Sequence, residues 1–209
     1  RSFDVIVTPV NDAPVLTAVS DVEINEDANQ QTISLTGIAA GGGESQPIRI
    51  VAESSNTSLI PNPTVIYTSA EGLGELQFKS HADRHGASTI TVMVEDGGLD
   101  NDLATTDDNA LTLHDFDVAV SPVNDMPAFA MLKKLRIDES SPDVKIDLTG
   151  IHPGGGETQP LRITATTSDA NIVWHPAVSY TDGDESGSFT VSPLLGKYGD
   201  VVVTVDVED

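Results

Sequence analysis

The 209-residue chain has no cysteine and is poor in aromatic residues, with one Trp, three Tyr and five Phe. Without cysteine there is no disulfide to staple the fold and no thiol nucleophile; an extracellular chain of this kind needs another staple, and bound metal is the obvious candidate. At 4% aromatic and 38% hydrophobic, the core must rest on Val, Ile and Leu. Basic residues are also few. Ten Lys and Arg stand against 33 Asp and Glu, a net charge of -23, which disfavours nucleic acid or an anionic membrane as a partner, because both demand Lys and Arg. No apolar run is long enough to insert into a membrane. Enzyme signatures are missing too. There is no Gly-x-Ser-x-Gly elbow and no His-Glu-x-x-His, and the Gly41-Gly42-Gly43 loop lacks the Lys of a phosphate cradle. His81 and His85 are spaced for zinc on a helix but lie in a turn, and they are replaced by Leu194 and Tyr198 at the repeat-equivalent positions described next.

What the chain does have is repetition. Pro9-Val10-Asn11-Asp12-Ala13-Pro14 returns as Pro122-Val123-Asn124-Asp125-Met126-Pro127, an offset of 113 positions. The offset holds without a gap: Gly37 to Ile50 returns as Gly150 to Ile163, with Gly-Gly-Gly-Glu-x-Gln-Pro in both copies, and Val94-Glu95-Asp96 returns as Val207-Glu208-Asp209. Phe3-Asp4-Val5 matches Phe116-Asp117-Val118. The expected organisation is therefore a closing strand of a preceding repeat at 1–10, a first domain at 11–123 and a second at 124–209 without its last strand, all a slice of a longer array. Each full repeat has the size of one sandwich domain.

Short alternating runs rich in β-branched residues, separated by Gly, Asn and Asp, predict strands in the first repeat. They start at Pro14 to Leu16, resume after a break at Val22 to Ile24, and continue through Thr32 to Thr36, Ile48 to Ala52, Thr64 to Tyr67, Glu75 to Phe78 and Thr89 to Val94, closing at Phe116 to Val120. Seven strands and no amphipathic helix predict an all-β protein of tandem immunoglobulin-like antiparallel β-sandwiches. In that topology alternate loops gather at opposite poles. The first repeat's turns with Glu26 and Asp83 then share a pole with the exit at Asn124-Asp125, and the second repeat's Glu157 and Asp209 face them. These six residues form a candidate calcium (Ca2+) set at the joint, since calcium needs six to eight oxygens. By the same geometry Asn11, Asp12, Glu44 and Asp96 serve the joint before, and Glu139 the joint after. The acidic loop from Asp96 to Asn109 offers a further set, Asp96, Asp100 and Asp102. Against these stands the alternative that Asn-Asp-x-Pro and Glu-Asp-Gly-Gly are ordinary turn formers, and that the charge serves solubility.

An alternating strand followed by Pro-Val-Asn-Asp-x-Pro, Val-Glu-Asp-Gly-Gly before it, and an Asn-Glu-Asp turn after the first strand resemble the cadherin-like tandem repeats of large bacterial surface proteins and adhesins. The resemblance covers nearly the whole chain and implies calcium-stiffened sandwiches, extracellular or on the cell surface, that act as extenders; adhesion or polysaccharide binding accompanies some members. Glu26 looks like the Glu of the cadherin A/B turn, Asp83-Arg84 like part of its Asp-Arg-Glu motif, and Asn124-Asp125 like its linker pair. The departures are Pro122, Met126 and Ala13 in the linkers, His85 in place of the motif's Glu, and Gly196 where the first repeat has Asp83, so fewer ions per joint are implied.

Expected partners are neighbouring repeats, a polysaccharide or another surface protein, and a second copy adding residues 1–10 head to tail to the second domain's open sheet edge; the alternative is an edge that stays frayed. The competing functional class is a carbohydrate-binding module built on Trp174-His175 with Tyr180 and Tyr198, although a lone Trp in a sandwich commonly belongs to the core. Asp182 to Gly187 resembles the first half of an EF-hand loop, but Pro193 stands where its closing Glu belongs, so a hairpin turn is expected there.

Overall fold

The computed structural model describes residues 1–209 and contains twelve strands and no helix. Backbone contacts divide the chain into unit 1, Arg1–Val123, and unit 2, Asn124–Asp209.

Unit 1 holds β1 (Val22–Asn25), β2 (Gln31–Thr36), β3 (Ile48–Ser54), β4 (Thr64–Ile66), β5 (Leu73–Phe78), β6 (Gly86–Asp96) and β7 (Leu111–Ser121). One sheet has the order β1-β7-β6-β3 and the other β2-β5-β4. All pairings are antiparallel except β1 with β7, which is parallel. Before β1 the chain makes a single antiparallel bridge, Val15 to Ala39, at the margin of the second sheet. The first strand thus divides between the two sheets, as the predicted break requires. Alternate residues of both sheets point inward, and Leu35, Leu76, Ile90, Val92, Val94, Phe116 and Val118 meet in one core. This is a β-sandwich with immunoglobulin-like strand order. Each fully buried Val, Leu, Ile or Phe contributes about 1.5–3 kcal/mol.

Unit 2 repeats the plan with β8 (Val144–Thr149), β9 (Arg162–Thr167), β10 (Ala177–Ser179), β11 (Ser186–Val191) and β12 (Val203–Glu208). Its sheets are β10-β11-β8 and β12-β9. The bridge of Ala128 to His152 restates that of Val15 to Ala39, and Leu148, Ile163, Phe189 and Val191 form the core.

Two extended segments do not pair. Residues 1–10 form no strand and are exposed throughout. Leu135 to Asp138, the equivalent of β1, is also without strand pairing. In unit 1 that position is a strand because β7 lies beside it; within residues 124–209 no strand pairs with it, and an extended segment without a partner has no ladder to join.

Candidate functional site

The Asn-Asp-x-Pro, Gly-Gly-Gly-Glu-x-Gln and Val-Glu-Asp motifs meet at one pole of unit 1. The Asn11 amide donates to Asp96 Oδ1 at 3.0 Å and to the Asp108 carbonyl at 2.8 Å, while its Oδ1 accepts from Gln46 Nε2 at 2.7 Å. Asp12 N donates to Glu44 Oε2 at 3.2 Å, and Gln46 Nε2 reaches the same oxygen at 3.2 Å. Asp96 is fully buried. Its Oδ1 also accepts from Gly98 N at 3.0 Å and Ala110 N at 2.9 Å, whereas Oδ2 has no hydrogen-bond partner. The three glycines permit this closure: Gly41 runs at φ +97, and a Cβ there would fall inside contact with the Ala13 carbonyl.

Unit 2 builds the same arrangement from the repeated residues. Asn124 Nδ2 donates to Asp209 Oδ2 at 2.8 Å, Gln159 Nε2 donates to Asn124 Oδ1, and Asp125 N donates to Glu157 Oε2 at 3.1 Å. A Cβ on Gly154 would lie 2.8 Å from the Met126 carbonyl. Asn11, Asp12, Glu44 and Asp96, and likewise Asn124, Asp125, Glu157 and Asp209, are therefore hydrogen-bonded to one another inside their own unit. Each set forms a clasp that anchors the incoming chain to the glycine loop and the end of the adjoining strand. Gln46 and Gln159 are central to it, and their recurrence at the repeat offset is the sequence signal that points to them.

The opposite pole of unit 1 collects Glu26, Asp27, Asp83 and His85. Glu26 is only 3% exposed. Its amide donates to the Ser121 carbonyl at 2.8 Å, and Oε1 accepts from Val123 N at 2.7 Å, so the carboxylate is held against the end of β7. Oε2 has no hydrogen-bond partner, and His85 Nδ1 lies 3.6 Å from it. Asp27 and Asp83 are exposed and both occupy positive φ, +60 and +54. Asp83 N donates to Asp27 Oδ1 at 3.2 Å, and ligand oxygens of the two carboxylates lie within 4.8 Å of each other. Two exposed carboxylates with oxygens this close are a chemically suitable start for a hard cation. Glu139, the repeat of Glu26, is exposed. It lacks the end of a β7-like strand to cover it.

The acidic loop after β6 does not bring Asp96, Asp100 and Asp102 together as a metal set. Asp100 Oδ1 accepts from Asp102 N and Asp102 Oδ1 from Ala104 N, each at 2.9 Å. These Asx turns direct carboxylate oxygens back onto the loop's own amides, while Asp96 turns inward. Residues 182–185 form the turn between β10 and β11, and Ser186 and Gly187 begin β11. Asp182 Oδ1 accepts from Leu161 N at 2.7 Å, the role Ser69 Oγ fills toward Ile48 N in unit 1 at 2.9 Å.

Trp174 is 59% exposed and meets His175 edge-on, with ring centroids 6.0 Å apart. The expectation of a core Trp does not hold, because β10 begins beyond it and the inward position is taken by Val173. Tyr198 is exposed, but Tyr180 packs against the core and is unavailable to a surface platform.

No family model matches the chain, and no curated protein resembles it in sequence. Among solved structures it is similar to titin domains Z1Z2 in complex with telethonin, at 10% identity over 95% of each chain and a TM-score of 0.36. It is also similar to domains 5–6 of the S-layer protein SbsC, at 14% identity over 95% of this chain and 91% of that one, TM-score 0.34. A third likeness is to the human desmocollin-1 ectodomain, at 11% identity, TM-score 0.38, covering 96% of this chain and 36% of the ectodomain. The chain spans 29% of the SbsC fragment of domains 4–9. Scores this low assign no fold by themselves, and the sandwich rests on the strand order and pairing given above.

Proposed function

We propose that this chain is a calcium-binding structural and adhesive repeat module, non-enzymatic, that extends and stiffens a large bacterial cell-surface or secreted protein. The observation that carries the reading is Glu26. A carboxylate 3% exposed with one oxygen lacking a hydrogen bond is costly unless a cation compensates it. Asp27 and Asp83, at the same pole of unit 1, bring ligand oxygens within 4.8 Å of each other, and water and backbone carbonyls would fill the remaining positions of a calcium shell. The net charge of -23 adds self-repulsion that cation binding relieves. Asp96 Oδ2 is the second bare carboxylate oxygen at a pole of unit 1. Ions held at the poles of successive repeats would turn a string of sandwiches into a stiff rod.

Thermal unfolding with EDTA, then with millimolar calcium or magnesium, tests the proposal. Calcium at ten times its dissociation constant contributes about 1.4 kcal/mol per site, which for a domain of this size raises Tm by roughly 4–8 °C per kcal/mol. Glu26→Gln removes part of that gain. Equal, weak effects of the two ions would reduce the carboxylates to solubility charges. The second reading, a carbohydrate-binding module, is favoured by one observation, the exposure of Trp174; quenching of its fluorescence by a polysaccharide, absent in Trp174→Ala, would move the assignment there.

A further inference from the structure

We infer that the outer face of the β7-β6-β3 sheet in unit 1 is a docking groove for an extended segment of another protein that carries an apolar residue two positions from a Lys or Arg. The alternation that sends Ile50, Val92, Val94 and Phe116 into the core sends the intervening residues outward, and the pairing register stacks them in rows across the three strands. Val51, Met93 and Leu113 form one row. Glu53, Thr91 and Asp115 form the row on one side of it, and Arg49, Glu95 and Leu111 the row on the other. Val51, Leu111 and Leu113 are 40%, 55% and 56% exposed. A groove of about 440 Å³ is floored by Val51, Met93 and Leu111 and walled by Thr106 and Asn109 of the β6–β7 loop. Asn109 holds that wall in place, donating from Nδ2 to the Thr105 carbonyl at 2.6 Å and to Glu95 Oε1 at 3.4 Å.

The sandwich itself does not require these apolar residues. Thr164 and Asp206 stand at the repeat-equivalent positions of Val51 and Met93, whereas Arg162 and Glu208 restate Arg49 and Glu95 in the same pairing. Outward Val and Met where the other repeat is polar form a patch suited to contact rather than to folding. Charge selects the occupant. Arg49 is engaged by Glu95, whose Oε2 accepts from Nε at 3.0 Å. Glu53 and Asp115 are exposed and take part in no salt bridge. They flank Thr91, two strand spacings or about 10 Å apart, so one cationic side chain laid over Thr91 meets both. The rows recur every second residue, about 7 Å along the strands. That is also the reach from residue i to i+2 of an extended segment, which can seat an apolar side chain on the Val51-Met93-Leu113 row and a basic one over Thr91. A second copy of this chain is a poor occupant, since acid-flanked faces on a chain of net charge -23 repel each other. The inference deepens the adhesive part of the reading above and rests on it, but the groove uses none of the proposed calcium ligands.

The probe is the synthetic peptide acetyl-Lys-Ser-Leu-Ser-Lys-amide, titrated into the full chain in EDTA and followed by the NMR signal of the Met93 methyl. That methyl and the Leu113 amide should shift and saturate, while the methyls of Met126 and Met131 stay in place. Replacing both Lys of the peptide by Glu, or its Leu by Ser, should abolish the saturation. Val51→Thr, the exchange the other repeat already carries, should keep Tm and weaken binding several-fold. Glu53→Gln with Asp115→Asn should erase the preference for Lys over Glu. No saturable shift, an equal response to all three peptides, or binding indifferent to Val51→Thr would overturn the inference. So would a Met93 signal that moves with protein concentration in the absence of peptide, which gives the face to a second copy. Because the titration is run in EDTA, its failure leaves the calcium-dependent thermal shift standing, and loss of that shift leaves the groove standing.

Discussion

Gly41 and Gly154 occupy the same place in the two units, at φ +97 and +109, and at each a side chain would collide with the carbonyl of the residue after the Asn-Asp pair. Gly43 also has positive φ, +84, but open space around it. We expect Gly43→Ala to cost unit 1 about 1–2 kcal/mol from backbone strain alone, and Gly41→Ala to cost more, because a backbone atom must move as well; urea unfolding of the two variants provides the comparison. Tyr67 supplies a second residue-scale prediction. Its hydroxyl is buried, and burial pushes the phenol above the ordinary tyrosine value of about 10. The folded state therefore holds this proton more tightly than the unfolded one. The stability tied to it is complete below about pH 10 and is lost as the pH rises through the folded pKa. Denaturant unfolding at about pH 9 and about pH 11 should show the decline, and Tyr67→Phe should make it smaller.

At the scale of elements, strand formation follows partners more closely than local propensity. Val22–Asn25 and Leu135 to Asp138 occupy equivalent positions, yet only the first is a strand, because only the first has β7 to pair with. Hydrogen exchange should find the amides of Ile24 and Glu26 protected and those of their equivalents Ile137 and Glu139 exchanging fast. The existence of β2 to β7 was legible from alternation, since each carries inward Val, Ile, Leu or Phe at every second position. The ends were less so. β7 begins at Leu111, five residues before the predicted Phe116, and β6 extends to Asp96, because antiparallel pairing between them continues past the apolar core into polar residues.

Within residues 1–209 the two units differ in how far their cores are closed despite their shared plan. Unit 1 closes both sheets around one core, while unit 2 leaves β12 half-covered. In EDTA and at low concentration, calorimetry should resolve two transitions, the earlier one belonging to unit 2. Fluorescence of Trp174, which lies in unit 2, should follow that earlier transition. A single transition common to both probes would mean that the difference in core closure does not control stability.

The sequence by itself determined the repeat, its period, the β class and the order of strands, because periodicity and turn chemistry are local properties written residue by residue. It also marked the residues of the poles. Only the tertiary structure decided what those residues do within a unit. Asn11, the Glu44–Gln46 loop and Asp96 are far apart in the chain, and folding joins them by hydrogen bonds to one another. Asp100 and Asp102 serve their own loop. Whether a carboxylate keeps an oxygen bare, as Glu26 and Asp96 do, depends on which donors the fold delivers to it and on how much water the fold removes, and neither quantity exists until the strands have packed.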